Sequence, residues 1–175
     1  MKALSLGGGV QSTTLYLMSN SGEMERADLA IFADTGWEPK AVYAHLERLK
    51  ALDGIPIVTV SKGNLRDDAL NAKKPGGRFA SMPLFTKDDG AKVSMLRRQC
   101  TREYKISELQ REMRTRGASA KDPWEVWIGI SSDEIGRMKD SFVQYTINTW
   151  PLIDMAMTRA DCRIYLERSG WDVPK

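Results

Sequence analysis

Apolar positions change period several times along the chain, and each change marks an element. Ala3-Leu4-Ser5-Leu6 reads as a short buried strand that passes directly into Gly7-Gly8-Gly9. Polar Gln11-Ser12-Thr13-Thr14 and apolar Leu15 to Met18 follow, giving the order strand, glycine loop, helix. A second apolar run, Ala27 to Phe32, ends at Asp34-Thr35-Gly36. From about Pro39 to Leu52 the spacing of Val42, Leu46 and Leu49 predicts a helix, with Pro39 suited to its first turn and Gly54 as its stop. Ile55 to Val60 is the third strand. Strands alternating with helices of this length imply βαβ units and a parallel sheet with helices on both faces.

The second half is less regular. Residues 61–96 show poor periodicity apart from a short helix near Leu65–Ala72, and a connection of that length is usually functional or mobile. Arg102 to Arg116 reads as a charged helix with Ile106, Leu109 and Met113 on one side and Gly117 at its end. Trp124 to Ile130 is a fourth strand, Ser131 to Lys139 is polar, and Thr149 to Ile153 is extended. Thr158 starts a last helix, with Asp161 three residues on as a capping partner and Gly170 after its end. There is no internal repeat and no linker.

Composition narrows the chemistry. The 175 residues fit about one domain, and 42% hydrophobic content fits a packed core. No apolar run approaches the roughly 20 residues of a membrane span, and the N-terminal apolar stretch is too short for a signal peptide. A cytoplasmic protein with no membrane partner is the expectation. One histidine, His45, and two cysteines, Cys100 and Cys162, rule out within one chain a multi-histidine metal site, a four-cysteine zinc site and a four-cysteine iron–sulfur cluster. A Ser-His-Asp hydrolase would need His45, and no G-x-S-x-G elbow accompanies it. The net charge of +3 suits an anionic ligand and gives a nucleic-acid partner little support.

The candidate chemistry gathers at strand ends. In a loop between strand and helix, glycines let the backbone approach an anion, and loop and helix amides converge on it. Ser12 and Thr13 add hydroxyls. The pattern is neither G-x-G-x-x-G nor the Walker loop. Asp34-Thr35-Gly36, Ser61 and Ser131-Ser132-Asp133-Glu134 follow the other strands, where parallel sheets bind ligands. Each alone also reads as a turn. Arg97, Arg98, Arg102 and Lys105 surround Cys100, a setting that suits phosphate or sulfate and lowers a thiol pKa. A solvated basic helix start around a buried cysteine is the competing reading. Cys162 reads as a small core residue and His45 as a packed or surface helix histidine.

These segments together resemble the PAPS (phosphoadenosine phosphosulfate) reductase branch of the PP-loop adenine-nucleotide α-hydrolase superfamily. The family's S-G-G-x-D-S loop corresponds to Gly7-Gly8-Gly9-Val10-Gln11-Ser12, with Gly7 in place of serine and Gln11 in place of aspartate. Its D-T-G corresponds to Asp34-Thr35-Gly36, and its Cys, basic stretch and Lys to Cys100 through Lys105. Its W-[IV]-x-G-[IL]-[RS] strand corresponds to Trp127 through Ser131, with Arg137 beyond, and its N-x-[YW]-P-[LI] segment and acidic helix to Asn148–Leu166.

The resemblance implies one PP-loop domain over residues 1–175, a three-layer α/β/α fold with a mostly parallel sheet of about five strands. It implies ATP or another adenine nucleotide as ligand and magnesium as a plausible companion ion. Gly7, Gly8, Gly9, Gln11, Ser12, Thr13, Asp34, Thr35, Gly36, Arg97, Arg98, Lys105, Gly129 and Ser131 would bind the nucleotide, and Ser12, Cys100 and Arg137 would act in catalysis. The expected reaction is cleavage at the α-phosphate to activate an unknown acceptor, with sulfur transfer as one outcome. Two alternatives stand beside it: a non-catalytic nucleotide-binding module, and a sulfonucleotide reductase or sulfurtransferase. Reductases of the family carry a cysteine-bearing C-terminal tail, and the sequence ends at Pro174-Lys175 without it, so this last reading needs cysteines from a partner or a longer chain. The oligomeric state is left open.

Overall fold

The computed structural model describes residues 1–71, 85–87, 93–95 and 101–172. Five strands form one sheet: β1 (Lys2–Ser5), β2 (Leu29–Asp34), β3 (Ile57–Ser61), β6 (Trp124–Ile128) and β7 (Thr146–Thr149). Their order is β3-β2-β1-β6-β7, and every neighbouring pair is parallel. Parallel neighbours need crossover connections: α1 (Val10–Ser21), α2 (Lys40–Lys50) and α4 (Ser107–Thr115) lie in those among β1, β2, β3 and β6, and only the 3₁₀ helix Ser132–Arg137 lies between β6 and β7. The expected α/β architecture with a five-stranded parallel sheet is therefore present. A separate antiparallel pair, β4 (Phe85–Lys87) and β5 (Val93–Met95), lies in the long connection after the short helix α3 (Leu65–Asn71).

Each strand shows one set of side chains to each face, and two cores result. On one face Leu4, Phe32 and Trp127 pack with Leu15 of α1, Leu46 and Leu49 of α2, and Cys162 and Leu166 of α6 (Arg159–Arg168). On the other, Ala3, Ile31 and Val126 pack with Leu109 and Met113 of α4. Burying each large apolar side chain contributes about 1.5–3 kcal/mol, so the faces hold the helices firmly on the sheet. Cys162 is a core residue, as its sequence context suggests, and burial pushes its thiol up to about 11.

Two expected elements differ. The segment read as one charged helix begins with a π-helical turn, Thr101–Ile106, before α4. Ile106 is 46% exposed there, at a cavity that Leu109 and Met113 also line rather than in the core those two residues join. Thr149–Ile153 is not extended throughout: β7 ends at Thr149, and Pro151 opens the four-residue helix α5 (Pro151–Asp154). Proline's fixed φ suits a first helical position, and that preference decides the segment. The final helix has the anticipated cap, with Thr158 and Asp161 bonded reciprocally.

Candidate functional site

Strand order reverses between β1 and β6, since β2 and β3 lie to one side and β7 to the other. In open parallel sheets that crevice, outside the carboxyl ends of the strands, is where ligands bind. The Gly7–Gly9 loop leaves β1 there, and Gly129 leaves β6 beside it. Gly8 sits at φ 69° with its back to Val42, where a Cβ would lie 3.1 Å from Val42 Cγ1. A Cβ on Gly129 would lie 2.8 Å from the backbone nitrogen of Ser12. Gly129 thus lies against the backbone of the first turn of α1.

Ser12 ties the loop across itself. Its hydroxyl accepts from the Gly7 amide and donates to the Gly9 carbonyl, each at 3.2 Å. Gly9 is the N-cap of α1, and neither a side-chain cap nor an acidic residue serves the helix's first turn. The positive end of the helix dipole and its amides are left to whatever lies beyond the exposed Gly7 and Gly9.

Gln11 faces another way. Its amide nitrogen donates to Glu134 Oε2 at 2.8 Å and to Ser131 Oγ at 3.4 Å, and its oxygen accepts from Arg159 Nη1 at 2.9 Å. Glu134 also pairs with Arg137 at 2.8 Å, and both lie on a 3₁₀ helix, Ser132–Arg137. The Ser131 hydroxyl and the Arg159 backbone amide hold the neighbouring Asp133 carboxyl below its usual range. Gln11, Ser131 and Arg137 are therefore brought together, joined by Glu134 of the polar run after β6 and by Arg159, which no sequence motif singles out. Thr13 does not join them: it is fully buried, its hydroxyl 2.9 Å from His45 Nε2. His45 packs edge-on against Trp171, and burial, then Arg48, pushes its pKa down.

The Asp34-Thr35-Gly36 turn follows β2. Asp34 Oδ1 accepts from the Gly36 amide and from the Tyr43 hydroxyl, both at 2.8 Å. Asn64 clasps the turn from the β3 side, its Nδ2 donating to the Gly36 carbonyl at 3.0 Å. Thr35 is buried and donates to Glu38 Oε1 at 3.0 Å, and the same oxygen lies 2.9 Å from Lys105 Nζ. Glu38 thereby links the turn to the π-helical segment, the rare geometry that often marks functional positions. Glu38 and Tyr43 carry no motif in the sequence, and their roles follow only from the folded geometry. Arg97, Arg98 and Cys100 lie outside the described residues.

On the α4 face of the same sheet edge lies a cavity of about 390 Å³. Ser5, Leu109, Val126, Ile128 and Ile130 contribute to its walls, and Lys105, Arg137 and Lys139 also line it. Its volume falls within the roughly 300–1,000 Å³ of small-molecule sites. Trp150 is a further wall residue whose buried indole nitrogen has no hydrogen-bond partner among the described residues.

Fold and site together define a doubly wound α/β protein with a glycine loop at its switch point. The same fold occurs in a phosphoadenylyl-sulfate (PAPS) reductase from Candida auris solved as a phosphate complex. That structure matches with a TM-score of 0.60 and 14% sequence identity, over 99% of this chain and 75% of the reductase. No family model matches the sequence. No curated protein matches it either. Among the described residues no helix is long and apolar enough to cross a membrane.

Proposed function

We propose that the chain binds ATP or a related adenine nucleotide at the Gly7–Ser12 loop and cleaves it at the α-phosphate to activate an acceptor. One observation carries this reading: an uncapped helix N-terminus, preceded by three glycines, at the switch point of a parallel sheet. Backbone amides would hold the phosphates, and the likeness of fold to a PAPS reductase supports an adenine nucleotide as the occupant. In the reaction an acceptor oxygen forms a bond to the α-phosphorus. The bond from that phosphorus to the bridging oxygen breaks, and pyrophosphate leaves with the electron pair. Positioning and charge stabilisation supply such catalysis, with Lys105 and Arg137 among the described cations on the cavity side.

Magnesium fits this scheme as an ion carried by the phosphates. Asp34 is bonded to Tyr43, Glu134 to Gln11 and Arg137, and no group of three or more His, Cys, Asp or Glu side chains converges among the described residues. Magnesium commonly keeps waters and phosphate oxygens as ligands, so no protein cage is required. When bound it would neutralise the leaving pyrophosphate.

Incubation with ATP and magnesium, followed by mass spectrometry, should yield AMP or an adenylate together with pyrophosphate. Intact ATP after long incubation with candidate acceptors would sink the reading. A second reading, a binding module without turnover, is favoured by Gln11, whose amide is spent on protein partners where the resembling family has a carboxylate. Calorimetric binding of ATP without product would select it. Sulfur chemistry at Cys100 is tested by Cys100→Ser, which should abolish any sulfur transfer that depends on that thiol.

A further inference from the structure

The cavity beside the loop has features that phosphate binding does not use. Its walls are apolar, with Leu109, Met113, Val126 and Ile128 among them, and its mouth carries Phe142, 93% exposed, and Ile106, 46% exposed. An apolar body suits this interior. The charges around it are of two kinds. Lys105 is neutralised by Glu38 and Arg137 by Glu134. Lys139 and Asp140 also line the cavity, and neither side chain has an ion-pair partner among the described residues. Two adjacent, opposite and unpaired charges at the rim of an apolar cavity match a zwitterion with an apolar side chain. The backbone there is held in place, since Asn148 Nδ2 on β7 donates to the Lys139 carbonyl at 2.8 Å.

We propose that this cavity binds an apolar α-amino acid, its carboxylate toward Lys139, its ammonium toward Asp140 and its side chain among the aliphatic walls. Resting on the proposed nucleotide reaction, the amino acid is the acceptor. Its carboxylate oxygen attacks the α-phosphorus, and an aminoacyl adenylate and pyrophosphate result, with no redox partner needed. Ser5 places the cavity two residues before the glycine loop, on the same sheet edge.

Calorimetry with L-phenylalanine, L-leucine and L-methionine tests the site. At least one should bind one-to-one. 3-Phenylpropionate, which lacks the ammonium, and phenethylamine, which lacks the carboxylate, should each bind at least about five-fold more weakly than L-phenylalanine, the scale of about 1 kcal/mol per lost contact. Lys139→Ala should weaken L-phenylalanine and spare phenethylamine, and Asp140→Ala should do the reverse with 3-phenylpropionate. Both positions are exposed, so a thermal melt should confirm unchanged folding. Absence of binding by all three amino acids, indifference to both substitutions, or displacement by ATP would overturn the proposal. ATP is titrated separately. If ATP fails to bind while the amino acid binds with the expected charge dependence, the nucleotide reading and the acceptor role fall, and the amino-acid site stands.

Discussion

Gln11 and Arg159 meet at 2.9 Å across 148 residues of chain, joining the first turn of α1 to the first residue of α6. Gln11 is only 6% exposed, so its carbonyl has little access to water as a substitute partner. Arg159→Ala should therefore destabilise the protein by about 1–3 kcal/mol, the cost of a buried acceptor left unpaired. Urea denaturation measures this, and nucleotide affinity should fall with it as the helix start loosens. An unchanged midpoint would mean that the contact is dispensable.

Gly129→Ala probes the contact between the end of β6 and the first turn of α1. The new methyl would meet backbone atoms of Gln11 and Ser12, which cannot rotate away. Overpacking of this kind costs about 1–3 kcal/mol. Because the displaced atoms belong to the helix after the glycine loop, where nucleotide binding is proposed, ATP binding by calorimetry should weaken at least about ten-fold, or about 1.4 kcal/mol. Loss of stability with full affinity would separate the loop from nucleotide binding.

His45 gives the fold a pH dependence. Burial holds its folded pKa below the ordinary 6.5, so the unfolded chain takes up the proton first on acidification. This contribution to stability is complete above pH 6.5, falls as pH drops through that value, and levels off below the folded pKa. Urea midpoints across this range should decline on the acid side, and His45→Gln should flatten that part of the profile. A slope that persists in the variant would assign it to carboxylates.

Two tryptophans should respond differently to replacement by phenylalanine. Trp127 is fully buried and donates to Glu125 Oε1 at 2.7 Å, whereas Trp150 has a buried indole nitrogen without a partner among the described residues. Trp127→Phe loses packing and a satisfied bond. Trp150→Phe loses packing and removes an unmet polar group, which costs about 1–3 kcal/mol when buried. Trp127→Phe should thus destabilise more, as read by denaturant midpoints, and the reverse order would contradict the assignment.

Cys162 should be inert in the native state. Its thiol is fully buried and its pKa is about 11, so little thiolate exists at neutral pH. In a Cys100→Ser background, a chromogenic disulfide reagent at pH 8 should react with it only as fast as the protein unfolds. Rapid labelling would place Cys162 in a more open setting.

Four of the five sheet strands, β1, β2, β3 and β6, were legible because each is a short apolar run closed by a polar or glycine signal, and the helix carrying Val42, Leu46 and Leu49 keeps a clear period; β7 was missed because Thr146-Ile147-Asn148-Thr149 is mostly polar and carries no such run. The position of the glycine loop between β1 and α1 was legible for the same reason, although the glycines alone read equally as a tight turn packing strand on helix. Pairings across the chain were not. Nothing near Gln11 announces Glu134 or Arg159, and nothing near Thr35 announces Lys105. Those partners are set by which strand lies beside which, and local spacing carries no record of that order. Thr13 shows the limit within a single motif. A helix turns by about 100° per residue, so neighbouring hydroxyls face different surroundings, and Thr13 meets His45 while Ser12 meets the loop.

Glu38 has one further consequence. Its Oε1 serves Thr35 and Lys105 at once, so an anion approaching Lys105 meets a charge already cancelled. Capture at that lysine is an exchange: the newcomer displaces a resident carboxylate that the Thr35 hydroxyl also holds. Such a swap changes the net charge of the pair little. Its response to added salt should be shallower than that of a bare lysine, and the D-T-G turn would register the arrival of a ligand at a residue 70 positions away.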